Sequence, residues 1–415
     1  MQKHKINHAD IKEWAKNYDG ELFDGILCDP PYELGFMGKS WDSSGIAFDT
    51  EMWADLFKLV KPGGHLLAFS GSRTYHRMAV AIEDAGFEIR DMIEWVYGSG
   101  FPKSLNIGKA VDKIQGNERE VTGTQEREGR SSGILGKKVQ ITRELSTGTS
   151  PYEGYGTALK PAHEPICLAR KPIEGTVAQN VLKHGTGGLN IDGTRVGTQD
   201  STGRPSGTDP GMWAGKKQMQ SETHSLGRFP ANLIHDGSDE VEAVFPDTGK
   251  AGNTRATSGI TAGKSMFGIG DNGTRNPKIV GDNGGSASRF FYCAKSSKSE
   301  RNAGLEGFEE KLTPKMDGGE FINPMTGVSS KQTMRQNHHP TVKPLSLTKY
   351  LAALIKPPTG GRLLVPFSGS GSEMIGALQA GWDYVEGVEL TEEYIPIAEA
   401  RIKYWLDVPV QGELL

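Results

Sequence analysis

The sequence predicts an α/β fold organised as a doubly wound sheet, on three observations. Short apolar runs of strand length alternate with helix-like segments near the start of the chain, and the same alternation returns near its end. Two of the runs, Phe23–Cys28 (FDGILC) and Arg362–Phe367 (RLLVPF), lead directly into turn sequences rich in Pro or Gly. Between the two ends lies a long stretch with few sustained apolar patterns, which reads as an insertion.

Taken in order, Asp10–Tyr18 has helical spacing and Phe23–Cys28 suits a buried strand. Met52–Leu59 reads as a helix stopped by Lys61-Pro62-Gly63-Gly64, followed by a second buried strand at His65–Phe69. A helix at Met78–Ala85 ends at Gly86, and Ile89–Tyr97 alternates as a strand. The polar stretch Gln115–Tyr155 reads as loop. Near the end, helices are predicted at Ser346–Ile355 and Ser372–Gln379, with strands at Arg362–Phe367 and Asp383–Leu390. The last helix starts at Thr391, an N-cap residue followed by Glu392 and Glu393, and repeats apolar residues through Ile395, Ala398, Ile402 and Trp405. In the middle, Arg228–Ile234 and Arg289–Ala294 are short strand-like islands.

Composition limits the function classes. Glycine supplies 55 of 415 residues, roughly twice its usual share, which places much of the chain in loops. The net charge of −4 gives no global sign of a nucleic-acid partner, so any such contact must be local. One local patch exists: residues 251–300 hold seven Lys/Arg against three Asp/Glu. Cys28, Cys167 and Cys293 are widely spaced and form no C-x-x-C pair, which argues against a zinc site or a disulfide framework. No signal-peptide core and no apolar run of membrane-spanning length is present, so a soluble, cytoplasmic protein is expected.

Two motifs carry chemistry. Asp29-Pro30-Pro31-Tyr32 follows the first buried strand. A carboxylate and a carbonyl on a loop stiffened by two prolines can accept both N–H bonds of an amine, whose lone pair is otherwise delocalised. The Tyr32 ring offers a face on which a base can stack. A plain strand-end turn would use the same residues. Phe367-Ser368-Gly369-Ser370-Gly371-Ser372 lies between a strand and a helix, and Glu389 closes the next strand. Strand, G-x-G, helix, strand and acid in that order suit an adenosine cofactor, with backbone brought close by the glycines and ribose hydroxyls held by the acid. Phe69-Ser70-Gly71-Ser72-Arg73 looks similar but lacks the second glycine and the acid, and reads as an ordinary strand-end loop.

These residues resemble a known family. Asp29–Tyr32 is similar to the D-P-P-Y motif of amino-group DNA methyltransferases, Phe367–Ser372 to their F-x-G-x-G motif, and Asn337–Pro344 (NHHPTVKP) to the segment that precedes it. With the D-P-P-Y motif first and the glycine motif last, the order resembles the beta class found in phages, prophages and restriction–modification systems. His163–Ile166 and Arg289–Arg301 resemble phage-type members. Two departures stand out: Val365 occupies the place of a usual Asp, and Ser372-Glu373 that of Thr-Thr or Ser-Thr.

The resemblance implies a Rossmann-like, S-adenosylmethionine-dependent methyltransferase fold with a seven-stranded mixed sheet. Residues 1–172 would form its catalytic part, 173–335 a loop-rich target-recognition insertion, and 336–415 its cofactor-binding part. Asp29, Pro30, Pro31 and Tyr32 would be catalytic, and Phe367, Gly369, Gly371, Ser372 and Glu389 would hold the cofactor. Asp10 would reach the cofactor's adenine, or else cap its helix, and Lys343 would lie near the methionine carboxylate. Trp95, Tyr97 and Phe101 would line the base pocket, with core packing the plainer role for Trp95. Lys295, Lys298 and Arg301 would touch phosphates unless they form a solvated face. Implied partners are double-stranded DNA, a second copy of the chain and a restriction endonuclease; no metal is called for. The implied product is N6-methyladenine, with N4-methylcytosine or a catalytically inactive DNA-binding protein as alternatives.

Overall fold

A computed structural model describes residues 3–34, 44–100, 104–130, 138–197, 227–248, 285–294, 299–312 and 334–407. The first part of the chain runs β1 (His4–His8), α1 (Ile11–Asn17), β2 (Phe23–Cys28), α2 (Thr50–Lys58), β3 (Val60–Phe69), α3 (Tyr75–Asp84) and β4 (Glu88–Val96). Then come α4 (Ile107–Gln115), β5 (Glu120–Arg130), β6 (Lys138–Thr147), β7 (His163–Arg170) and α5 (Val177–His184). The middle contributes the short elements β8 (Leu233–His235), α6 (Asp239–Glu242), β9 (Tyr292–Cys293), β10 (Lys311–Leu312) and β11 (Met334–Arg335). The chain closes with α7 (Leu345–Leu354), β12 (Arg362–Val365), α8 (Ser372–Gln379), β13 (Tyr384–Glu389) and α9 (Ile395–Asp407).

Among the described residues, the main sheet has nine strands in the order β1-β13-β12-β2-β3-β7-β4-β8-β9. Its first five strands are parallel, and β7 runs antiparallel to both β3 and β4. The expected seven strands become nine because β8 and β9, from the middle region, add to the edge beside β4. Strands β12 and β2 are neighbours although they come from opposite ends of the chain. Helices cover both faces. Ile26, Cys28, Leu66 and Leu364 point to the layer of α1, α2 and α3, whereas Leu27, Leu67, Leu363 and Val365 point to α7 and α8. That alternation is the period-two pleat of strands buried on both sides.

Several readings change. Lys61-Pro62-Gly63-Gly64 does not end a helix ahead of a separate strand; it bulges within β3. Phe23 pairs with Val60 and Gly25 with His65, so four residues of β3 leave the register. The Pro62 carbonyl faces outward and accepts from Asn180 Nδ2 at 3.0 Å. The Gln115–Tyr155 region, expected as loop, forms the end of α4 and the antiparallel hairpin β5–β6. Val121 is the one apolar residue of β5, so that strand lacked the apolar alternation that marks a half-buried strand, although Val139, Ile141 and Leu145 do alternate along β6. The root of this hairpin is fixed by Arg119, which donates to Glu153 at 2.7 and 2.9 Å and also to the buried Asp112. The last helix begins with a 3₁₀ turn at Glu392–Tyr394, and the Thr391 side chain makes no capping bond. Of the two islands, only Leu233–His235 and Tyr292–Cys293 are strand, while Ala287–Phe290 is a 3₁₀ turn.

Asp24 joins the two ends of the chain at the sheet centre. Its Oδ1 accepts from Lys61 Nζ at 2.8 Å and its Oδ2 from the Arg362 backbone N–H at 2.8 Å. Asp24→Ala would leave a buried N–H and an ammonium unpaired, and is expected to lower stability by about 2 kcal/mol, read as a shift in urea midpoint at unchanged slope. His65, on β3, is held neutral by burial and by nearby Arg170 and Arg90, with its pKa lowered to about 3. A depressed histidine contributes stability above its unfolded pKa and loses it as pH falls. Unfolding free energy should therefore drop between about pH 6.5 and pH 3, by at most about 1.4 kcal/mol per pH unit from this one group. His65→Leu should flatten that part of the profile; an unchanged slope in the variant would refute the assignment.

Candidate active site

The carboxyl ends of β2 and β12 open side by side, the usual place for a ligand in an open α/β sheet. A cavity of about 630 Å³ lies there, lined by Asp29–Tyr32 after β2 and by Pro366–Ser370 after β12. That volume lies in the range of small-ligand sites.

Asp29 is the centre of the cavity wall. Its Oδ2 accepts from Lys343 Nζ at 2.7 Å, while its Oδ1 is buried and has no hydrogen-bond partner. Lys343 also donates to the Tyr32 hydroxyl at 3.0 Å and lies 3.4 Å from Glu164 Oε2. Tyr32 in turn donates to Glu164 at 2.8 Å. The four groups form a closed network, packed against the Phe69 ring, whose centroid is 4.8 Å from Lys343 Nζ. Burial raises the Asp29 carboxyl above its ordinary range, Glu164 adds to this, and Lys343 opposes it. Burial alone would lower the Lys343 ammonium, but Asp29 and Glu164 outweigh it and hold its proton on.

The loop carrying these residues is fixed from behind. Thr74 Oγ1 donates to the Tyr32 carbonyl at 2.7 Å, and Gly71 leaves room for the ring: a Cβ there would be 3.4 Å from Tyr32 Cδ2. The Ser70–Arg73 loop is thus a backing to the site, with Gly71 and Ser72 lining the cavity. Glu33 has a φ of 54°, a conformation that costs a non-glycine residue energy. Its carboxylate accepts from Ser44 Oγ at 3.0 Å and from the Gly45 N–H at 2.8 Å, which offsets that cost.

The glycine loop after β12 is equally constrained. Gly369 and Gly371 have φ of 48° and 83°, and a Cβ on Gly369 would fall 2.7 Å from His339 Nε2. Glu389 accepts from the Gly369 N–H at 2.7 Å and from the Thr391 N–H at 2.8 Å. Beneath the loop, the fully buried Arg401 donates to the Ser370 carbonyl and to Ser372 Oγ. The cradle fits S-adenosylmethionine: open backbone at the glycines, acids able to meet a cationic ligand, and an unpartnered Asp29 oxygen beside them.

The other expected site residues divide. Asp10 caps α1, accepting from the Lys12 N–H at 2.8 Å, and also lines the cavity. Lys343 lines the cavity and sits in the Asp29 network. Trp95 is not among the cavity residues; on β4 it packs into the core, and Tyr97 reaches the cavity instead. Tyr97 lies two residues on, just beyond the strand end, and its ring centroid is 5.1 Å from that of Trp95. Arg301, expected at phosphates, turns inward and donates to the carbonyls of Asn337 and His339. Phe101, Lys295 and Lys298 lie outside the described residues. Val365 is fully buried, so the carboxylate usual at its position is absent; Glu373 supplies one to the cavity. Sequence reasoning missed Glu164 and Glu373 as site residues. His163-Glu164 stood out only as a resemblance, and no spacing rule places a residue of β7 beside one that follows β2.

The family model for DNA methylases matches residues 23–400, which spans both motifs and the whole region between them. The chain belongs to the DNA methylase family. As an amino-group, S-adenosylmethionine-dependent methylase it has the Rossmann-like fold, with D-P-P-Y before the glycine motif. It is 27% identical over 144 residues to the Type II methyltransferase M.HindIII of Haemophilus influenzae, covering 34% of this chain and 37% of that protein. The match thus spans little more than a third of that relative's length. Among solved structures, it is 14% identical to the M1.HpyAVI–SAM complex, with a TM-score of 0.39 and coverage of 96% of this chain and 98% of the other. The PvuII DNA methyltransferase, described as cytosine-N4-specific, gives 11% identity and a TM-score of 0.43, with 96% and 86% covered.

Lys343→Met keeps the apolar stem but leaves Asp29 and Glu164 without their cation. An acid whose folded pKa is raised loses stability as pH rises through it, so the variant should be destabilised more at pH 8 than at pH 5. A cost of about 3 kcal/mol is expected at the higher pH, where Asp29 must ionise uncompensated. Urea midpoints at both pH values would test this; equal losses at the two would contradict it.

Proposed function

We propose that this methylase transfers a methyl group to the N6 amine of an adenine turned out of duplex DNA. The observation that carries the reading is the unpartnered, buried Oδ1 of Asp29 beside a Tyr32 ring on a prolyl loop. Asp29 Oδ1 would accept one N–H of the amine and the Pro30 carbonyl the other, so that the nitrogen lone pair localises away from the ring. S-adenosylmethionine, held by Phe367, Gly369, Gly371, Ser372, Glu389 and Asp10, would supply an electrophilic methyl group. Lys343 fixes the orientation of Asp29 and favours its ionised form, while Glu164 pins the Tyr32 hydroxyl so that its ring stays flat against the base. Asp29 Oδ1 is also placed to take the proton that the amine sheds. An acid at the head of the motif, where the N4-cytosine branch more often has serine, favours adenine.

Target choice is assigned to the region 173–335, which contributes β8 and β9 to the sheet edge and holds the basic stretch 251–300. A two-stranded ribbon fits the major groove, so β5–β6 is a second candidate for contact with the duplex.

Expression in a host without adenine methylation, followed by nucleoside mass spectrometry of its DNA, tests the reading. N6-methyladenine is expected with the natural chain and at least about a hundredfold less with Asp29→Ala, the scale of losing a positioned acceptor. N4-methylcytosine in its place would correct the base and keep the mechanism. Folded protein that binds S-adenosylmethionine and leaves DNA unmodified would overturn the proposal.

A further inference from the structure

Among the carboxylates of the cavity, four have assigned partners, Glu164 taking the Tyr32 hydroxyl. Asp29 pairs with Lys343, Glu389 accepts two backbone N–H groups, and Asp10 caps α1. Glu373 is different. It is the second residue of α8, only 4% exposed, and lines the cavity beside the glycine loop. No Lys, Arg or His among the described residues lies within 4.0 Å of its carboxylate. The nearby cations are committed elsewhere: Lys343 to Asp29, and Arg401 Nη1 to the Ser370 carbonyl and Ser372 Oγ. A buried carboxylate with no cation costs several kcal/mol unless a ligand supplies one or a proton stays on.

We infer that Glu373 receives the α-ammonium of S-adenosylmethionine and so anchors the cofactor's amino-acid end. This rests on the methylase reading above and extends it to a residue that its motifs do not assign. In the free protein the carboxyl is pushed up to about 7, by burial first and by Asp29 next, against Lys343. Near pH 7 it is thus partly protonated, and an arriving ammonium displaces that proton. The N–H⁺ of the ligand then donates to the vacated oxygen, and the displaced proton goes to buffer. The cavity accordingly selects a cationic amino acid tail as well as an adenosine.

Calorimetric titration of the full chain with three ligands separates the terms. S-adenosylmethionine has the ammonium and the sulfonium, S-adenosylhomocysteine only the ammonium, and 5′-methylthioadenosine neither. Glu373→Gln should weaken the first two by at least about tenfold each, the scale of one charge-assisted hydrogen bond, and leave the third within twofold. In the natural protein, titrations at pH 7 in buffers of different ionisation enthalpy should show proton release with the first two ligands and none with 5′-methylthioadenosine. A loss confined to S-adenosylmethionine would move the contact to the sulfonium and overturn the assignment. So would an equal loss with all three ligands, or no loss at all. Absence of proton release in the natural protein would overturn it without reference to any variant. If the natural chain bound none of the three, the cofactor reading itself would fail, a result distinct from every other.

Discussion

The ion pair between Asp29 and Lys343 is the constraint around which the rest is arranged. The two residues are 314 positions apart, and their charged atoms meet at 2.7 Å in a cavity wall. Such a pair contributes little net stability, because desolvating both charges offsets most of their attraction. Its value lies in orientation. With one carboxylate oxygen held by Lys343, the direction of the other is fixed as well. The same ammonium touches Tyr32 and faces Glu164, so acid, ring and loop are fixed by one cation.

Behind that pair, the scaffold repeats the same solution with arginines. Arg401 holds the glycine loop from beneath, and Arg301 holds the Asn337–His339 segment that leads to Lys343. Asn337 links the two by donating to the Arg301 carbonyl and to Ser370 Oγ. Burial lowers both guanidinium groups to about 10, which still leaves them charged at neutral pH. Each satisfies backbone carbonyls that a turn would otherwise leave unpaired. Loops that carry chemistry are thereby as firmly placed as the strands they follow.

Much of this was legible from residues alone. The strands β2, β12 and β13 and the helix α8 followed from short apolar runs bounded by Pro and Gly, because strands buried on both faces have no other signature. Both motifs were recognisable since their residues are contiguous. What could not be read were partners brought together by topology. Glu164 sits on β7, which inserts antiparallel between β3 and β4, and local sequence says nothing of that insertion. The hairpin β5–β6 escaped because β5 has a single apolar residue, Val121, and the bulge in β3 because Pro-Gly-Gly ordinarily ends an element. Arg301 looked like part of an exposed basic run, yet its charge is spent on two backbone carbonyls. Composition counts charges but does not tell where they point.

The pairing of β12 with β2 has a consequence for biosynthesis. While a ribosome works through the middle of the chain, β2 has one neighbour in β3 and an open edge where β12 will later dock. At ordinary synthesis rates of about 5–20 residues per second, that edge waits roughly twenty seconds to a minute. An unpaired parallel strand of apolar residues invites wrong partners for that interval. The same delay keeps Asp29 apart from Lys343 until late in synthesis, so a partly made chain holds the acid without its cation. That wall of the cavity comes into being in one late step, and neither half of the chain holds it alone.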